Sequence, residues 1–223
     1  MTVIHDEELL ERILESPRLP FYARQIQSVL ESEQDARRRF YETVTDSDKA
    51  EYINGEAIYH SPVLLQHNRA GKLLLKLLDT YVALNDLGYV GYEKILISLS
   101  RNDYEPDLCY FRKETADTFK ARQMRFPAPD FVVEILSDST AANDRGVKLL
   151  DYAAHAIGEY WIIDPTAESV EQYLLHGNVY ELAVKMIDGP LRSAAVPGFV
   201  IPIRAIFDET ENVRALQTIL ERR

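Results

Sequence analysis

The stretch PDFVVEILSDST, residues 129–140, reads as a buried β-strand opened by Pro-Asp and closed by a run of capping residues. One carboxylate, Glu134, sits among Val132, Val133, Ile135 and Leu136. Proline at the first residue of a strand removes no ladder hydrogen bond, and a near-continuous apolar run marks a strand covered on both faces. An ionised group inside such a run must meet a cation, a donor or a metal, or take up a proton. The residues alone leave a salt bridge and a metal equally open for Glu134.

Upstream, EPDLCYF (105–111) is a second strand opened by Pro-Asp, with Asp107 at its start, and YVGYEKILISLS (89–100) is a third strand candidate. Between residues 66 and 84, Leu73, Leu74, Leu77, Leu78 and Tyr81 recur at helical spacing. EYINGEAIYHSP (51–62) gives two short strands around Asn54-Gly55, a dipeptide that supplies positive φ for a tight turn. Downstream, the chain reads as a helix over 144–156, the strand EYWIID, a hairpin of SVEQYLL and VYELAVKMI, the segment VPGFVIPI and a short acidic helix. The order predicts an α/β fold in which a mixed sheet is flanked by helices. Residues 1–50 read as a charged, helical accessory arm, and residues 51–223 as one domain with an added C-terminal β-hairpin.

Composition narrows the chemistry. With 223 residues and 46% hydrophobic content, the chain can bury a full core. The single cysteine, Cys109, lies in an apolar run and reads as a small buried hydrophobe in a reducing compartment, so cytoplasm is the expected location. The N-terminus lacks the pattern of a signal peptide, and no run reaches the ~18 apolar residues of a membrane helix. The five histidines show no zinc spacing, and neither a G-x-S-x-G elbow nor a phosphate-cradling glycine loop is present. Carboxylates at the starts or middles of neighbouring strands suit Mg²⁺ or Mn²⁺, which prefer hard oxygen ligands. The net charge of −11 opposes binding of a polyanion on average. A local basic groove is open to the cluster Lys94, Arg101, Arg112, Lys113, Lys120, Arg122 and Arg125, of which Arg122 and Arg125 with Lys94 or Arg101 are expected to face DNA. Asp144, Lys148, Asp151, Tyr152 and His155 share one helical face opposite Val147, Leu150, Ala153 and Ala154, which are expected to face inward. An exposed Asp144–Lys148 pair is the simplest reading of that face.

The succession NGEAIYHSP, His67 on the following helix, EPDLCYF, PDFVVEILSDST, DRGVKLLDY and GEYWIIDP resembles the Uma2 family of restriction endonucleases, within the PD-(D/E)XK nuclease superfamily. The resemblance runs from about Glu51 to about Pro202. It implies a restriction-endonuclease-like fold and a metal-dependent endonuclease that hydrolyses phosphodiester bonds, with DNA as the expected substrate and a homodimer as the expected assembly. Asp107 and Glu134 would be catalytic and hold Mg²⁺ or Mn²⁺, with Glu56 completing the metal set and His67 nearby. The superfamily's lysine two positions after the second acid is Leu136 here, and Lys148 would replace it from the helix. The alternatives are a non-catalytic binding or regulatory module and a hydrolase of small phosphoesters.

Overall fold

The computed structural model describes residues 6–45 and 47–221. In chain order its elements are α1 (Asp6–Leu14), α2 (Leu19–Thr43), β1 (Ala50–Ile53), β2 (Glu56–Tyr59), α3 (Leu65–Leu84), β3 (Gly88–Tyr92), β4 (Leu96–Ser98), β5 (Asp103–Tyr104), β6 (Leu108–Arg112) and α4 (Lys113–Ala116). There follow β7 (Arg125–Phe126), β8 (Phe131–Ile135), α5 (Ala141–Asp144), α6 (Val147–Ala154), β9 (Glu159–Asp164), β10 (Ser169–His176), β11 (Val179–Met186), β12 (Pro190–Arg192), β13 (Val200–Pro202) and α7 (Glu209–Glu221). No helix among the described residues is long and apolar enough to cross a membrane.

A six-stranded sheet in the order β11-β10-β9-β8-β6-β3 is the spine. It is mixed: β8 and β9 run parallel, joined by the α6 crossover, and its other pairs are antiparallel. Because side chains alternate across a strand, the two faces of this sheet carry two cores. Leu108, Tyr110, Phe131, Val133 and Ile135 face α3 and α7, packing on Leu74, Leu77, Leu78 and Ile219. Cys109, Phe111, Val132 and Leu136 face the other way, onto Ile53, Ile97, Tyr104 and Tyr152. By the same alternation, Asp107 and Glu134 fall on this second face, the one α6 covers. Each fully buried aliphatic side chain contributes about 2 kcal/mol. Two such cores can therefore carry several carboxylates whose burial is unfavourable.

Above the second face lies a five-stranded sheet, β2-β1-β5-β4-β7, which the sequence reading does not anticipate. The segment read as one strand over residues 89–100 is two strands in different sheets. Glu93 and Lys94 hold φ of 43° and 35° and turn the chain from β3 into β4. The Asn54-Gly55 turn forms as expected, with φ of 50° and 91°. The added hairpin is β10–β11. In the described part of the arm, α1 and α2 are helices, but their packing is uneven. Side chains from Ala23 to Ser32 are exposed, whereas Arg37 holds Asp103 through Nε–Oδ2 at 2.6 Å and Nη2–Oδ1 at 2.7 Å, and Phe40 is buried against Tyr52. The packing boundary between arm and domain thus falls inside α2.

One expectation about α6 holds for Ala153, which is buried, and for Val147, which packs against the second core, and fails for Leu150 and Ala154. Leu150 is 66% exposed and Ala154 is also exposed, while Lys148 and Tyr152 point inward. The polar face of α6 is the buried one because the carboxylates of β1 and β8 lie beneath it.

Candidate active site

The β6–β8 register pairs Leu108 with Val133, which sets Asp107 beside Glu134 at one end of the sheet. Asp107 Oδ2 accepts the backbone N–H of Ile135 at 2.8 Å and lies 3.1 Å from His67 Nε2, while Oδ1 lies 3.3 Å from Lys49 Nζ. Burial alone would raise the Asp107 pKa, but His67, Lys49 and the Ile135 amide outweigh it and hold the carboxyl down at about 2. His67 reaches this point from the first turn of α3, the helix that packs on the other face of the sheet.

Glu134 has a different environment. Its Oε1 accepts from Lys148 Nζ at 3.0 Å and Tyr152 OH at 2.9 Å. Burial drives its pKa well above the ordinary value, and Asp144, Asp107 and Glu51 add to the rise that Lys148 opposes. Lys148 is 2% exposed, with Nζ 2.9 Å from Glu51 Oε1, 3.0 Å from Glu134 Oε1 and 3.3 Å from Asp144 Oδ1. Burial would discharge this ammonium, but the three carboxylates reverse the effect and raise its pKa well above the usual lysine range. The expected exposed Asp144–Lys148 pair is therefore a buried four-group cluster.

Glu56 does not join this cluster. It stands exposed on edge strand β2, paired with Ile53 beside the turn. The early acid in the cluster is Glu51, on the buried strand β1. Burial raises its pKa, but Lys148 and His60, with Nε2 3.3 Å from Oε2, pull it below the ordinary value. Glu51 carries the same sequence signal as Glu134, a carboxylate in a strand buried at every position. Glu105 links the two strands: its Oε2 accepts from Ala50 N at 2.9 Å, and its own N–H donates to Glu51 Oε1 at 3.0 Å. Burial raises its pKa to about 7.

These groups line a cavity of about 270 Å³ with Lys49, His60, His67, Glu105, Asp107, Glu134 and Lys148 on its walls, and the 137–140 loop at its mouth. Five carboxylates, Glu51, Glu105, Asp107, Glu134 and Asp144, face two lysines. That excess of negative charge fits a divalent cation. Among the described residues, no group of three or more His, Cys, Asp or Glu side chains is placed to hold a metal ion. A divalent ion here would therefore rest on one or two carboxylates and keep several waters, as Mg²⁺ does, and not on a structural-zinc cage. The basic residues singled out in the sequence lie elsewhere: Arg101 is paired with Glu33 at 2.7 Å, Arg125 covers the ring of Tyr41, Arg122 is exposed, and Lys94 donates to Ser47 O.

A family model, Uma2, described as "Putative restriction endonuclease", matches residues 37–204, three-quarters of the chain. With the mixed sheet and the carboxylate cluster, this defines a restriction-endonuclease-like nuclease class, and the chain belongs to the Uma2 family. Its fold is similar to a crystal structure from Anabaena variabilis ATCC 29413 described as "a putative nuclease belonging to DUF820". The TM-score is 0.65 at 17% identity, over 78% of this chain and 96% of that one. No curated protein matches the chain.

Proposed function

We propose that this protein is a metal-dependent phosphodiesterase acting on nucleic acid, with DNA as substrate. The observation that carries the reading is the fully buried Glu134 facing Asp107, Asp144 and Glu51 with too little cationic charge to balance them. Asp107 and Glu134 would hold Mg²⁺ or Mn²⁺, which when bound polarises a phosphoryl oxygen and lowers the pKa of a water. The chain's own residues prepare the site. Ile135 N–H and His67 fix Asp107, Tyr152 and Lys148 fix Glu134 by one oxygen, and Lys148 places a permanent positive charge in a pocket that water does not screen.

The test is incubation of the protein with plasmid, single-stranded DNA, RNA and bis(p-nitrophenyl) phosphate in Mg²⁺ or Mn²⁺, beside Asp107→Ala. Cleavage by the parent that the variant lacks is the expected result. Turnover of the chromogenic ester alone would move the substrate to small phosphoesters, a reading favoured by the −11 net charge. Mn²⁺ binding without turnover of any substrate would make the protein a binding module.

A further inference from the structure

The cavity holds two lysines in unlike settings. An ammonium has three donors. The Lys148 ammonium lies 2.9, 3.0 and 3.3 Å from three carboxylates and donates to Glu134 Oε1, and its side chain is 2% exposed. Lys49 has one carboxylate within ion-pair distance, Asp107 Oδ1 at 3.3 Å, and its side chain is 19% exposed on the cavity wall. Its backbone is held firmly. The neighbouring Ala50 N–H donates to Glu105 Oε2 at 2.9 Å, and Lys49 O accepts the His60 N–H at 2.9 Å. A fixed backbone and a loosely engaged head describe a group that can donate to a ligand. Lys148 could do so only by stripping a fully buried carboxylate of its counterion, which is strongly destabilising.

We infer that Lys49, at the entrance to β1, is the lysine that contacts the substrate phosphate, and that Lys148 is a positioning residue for Glu134 and Glu51. The inference rests on the hydrolase reading above. In that reaction water adds to phosphorus and gives up a proton to solvent, one P–O ester bond breaks, and the leaving alkoxide takes up a proton from solvent to become the alcohol. Lys49 keeps its own proton throughout and donates a hydrogen bond to a non-bridging phosphoryl oxygen as negative charge grows there. Its single ion pair, with Asp107, is the more exposed one, so exchanging it for a phosphate oxygen costs little.

Lys49→Met, Lys49→Arg and Lys148→Met separate the two roles. Three readouts apply: Mn²⁺ titration by electron paramagnetic resonance, ³¹P line broadening of inorganic phosphate by the Mn²⁺-loaded protein, and turnover of bis(p-nitrophenyl) phosphate. Lys49→Met is expected to bind Mn²⁺ at least as tightly as the parent, since a cation beside Asp107 is gone. It should lose the phosphate broadening and about 10²-fold or more of turnover. Lys49→Arg should recover part of both, because a planar fork replaces a compact ammonium imperfectly. Lys148→Met should instead lose Mn²⁺ affinity. Phosphate broadening equal in the parent and Lys49→Met, including none in either, overturns the assignment, and so does a loss of Mn²⁺ affinity in Lys49→Met. Lys49-dependent phosphate binding in a parent that cleaves no phosphodiester would sink the hydrolase reading and leave the phosphate contact standing.

Discussion

Glu134 and Glu159 lie on the adjacent parallel strands β8 and β9, both almost wholly buried, yet they are opposites in chemistry. Glu159 is surrounded by donors: Trp161 Nε1 at 2.7 Å and Gln172 Nε2 at 2.6 Å reach Oε1, while Ser193 Oγ at 2.6 Å and the Ala194 and Ala195 amides at 2.9 and 2.8 Å reach Oε2. Its charge is spread over neutral dipoles, and it ties the 193–195 turn to the sheet. Glu134 is surrounded by other acids and depends on one ammonium and one phenol. Burial therefore does not distinguish these two carboxylates. The partners do: Glu159 has a completed donor shell, whereas Glu134 faces a surplus of acids, the arrangement on which the metal proposal rests.

The largest effect should come from removing the ammonium that tolerates that surplus. Lys148→Met leaves Glu51, Glu134 and Asp144 buried without a counterion, and breaking a buried ion pair on one side costs about 3–5 kcal/mol. At about 2–4 °C per kcal/mol for a chain of this size, the thermal midpoint should fall by roughly 10 °C. A midpoint within a degree of the parent would mean that the cluster is not closed in solution.

Glu159→Gln and Glu134→Gln test the comparison itself. The first puts an amide NH₂ against groups that are themselves donors, a loss of about 2–3 kcal/mol on the scale of a hydrogen bond to a charged group. The second keeps an acceptor for Lys148 and Tyr152 and removes a charge that its neighbours repel, so stability should change by less than about 1 kcal/mol while Mn²⁺ binding is abolished. Thermal melts and metal titrations on both variants check this. Equal destabilisation by the two would erase the distinction drawn between them.

A smaller effect separates Glu51 from Glu56. Glu51→Gln should weaken metal affinity by about 10–100-fold, the usual scale for a group that supports a ligand, because it loosens the Lys148 that positions Glu134. Glu56→Gln, at an exposed position, should stay within about 0.5 kcal/mol in stability and leave metal binding unchanged. Loss of metal binding in Glu56→Gln would restore the turn carboxylate to the site.

What could be read from the sequence follows from how local its physics is. Period-two alternation places Asp107, Cys109 and Phe111, and likewise Val132, Glu134 and Leu136, on one face of the sheet, so the two acids and the gap at Leu136 are legible from strand parity. Parity cannot say which face of α6 turns inward. Leu150 and Ala154 look like the buried stripe, and only the carboxylates beneath the helix reverse that assignment. Glu51 had the signal of Glu134 in a shorter form, four residues against the charged end of α2, and the hairpin turn drew attention to Glu56 instead. Lys49 had no signal. It is a polar residue before a strand, and its meeting with Asp107 depends on contacts to Glu105 and Asp107 more than fifty positions away.

Glu171 on β10 supplies a third kind of carboxylate and the smallest effect. It accepts from Arg145 Nη2 at 2.9 Å, Lys185 Nζ at 3.0 Å and Tyr173 OH at 3.0 Å, so it has real cations where Glu159 has dipoles and Glu134 has rival acids. Burial pushes its pKa up, but these three partners overcome that and hold it at about 2, against an ordinary value of 4.5. A carboxyl whose pKa is lower in the folded state binds its proton more readily when unfolded. Its stabilisation is therefore complete above about pH 4.5 and is lost as pH falls through about 2. Arg145 and Lys185 are substantially exposed, so solvent screening limits the contribution to about 1 kcal/mol or less. Thermal melts across this window should show the parent a few degrees above Glu171→Gln near neutrality, with the gap closing toward pH 2. A gap that stays constant with pH would show that Glu171 acts there through packing and not through its charge.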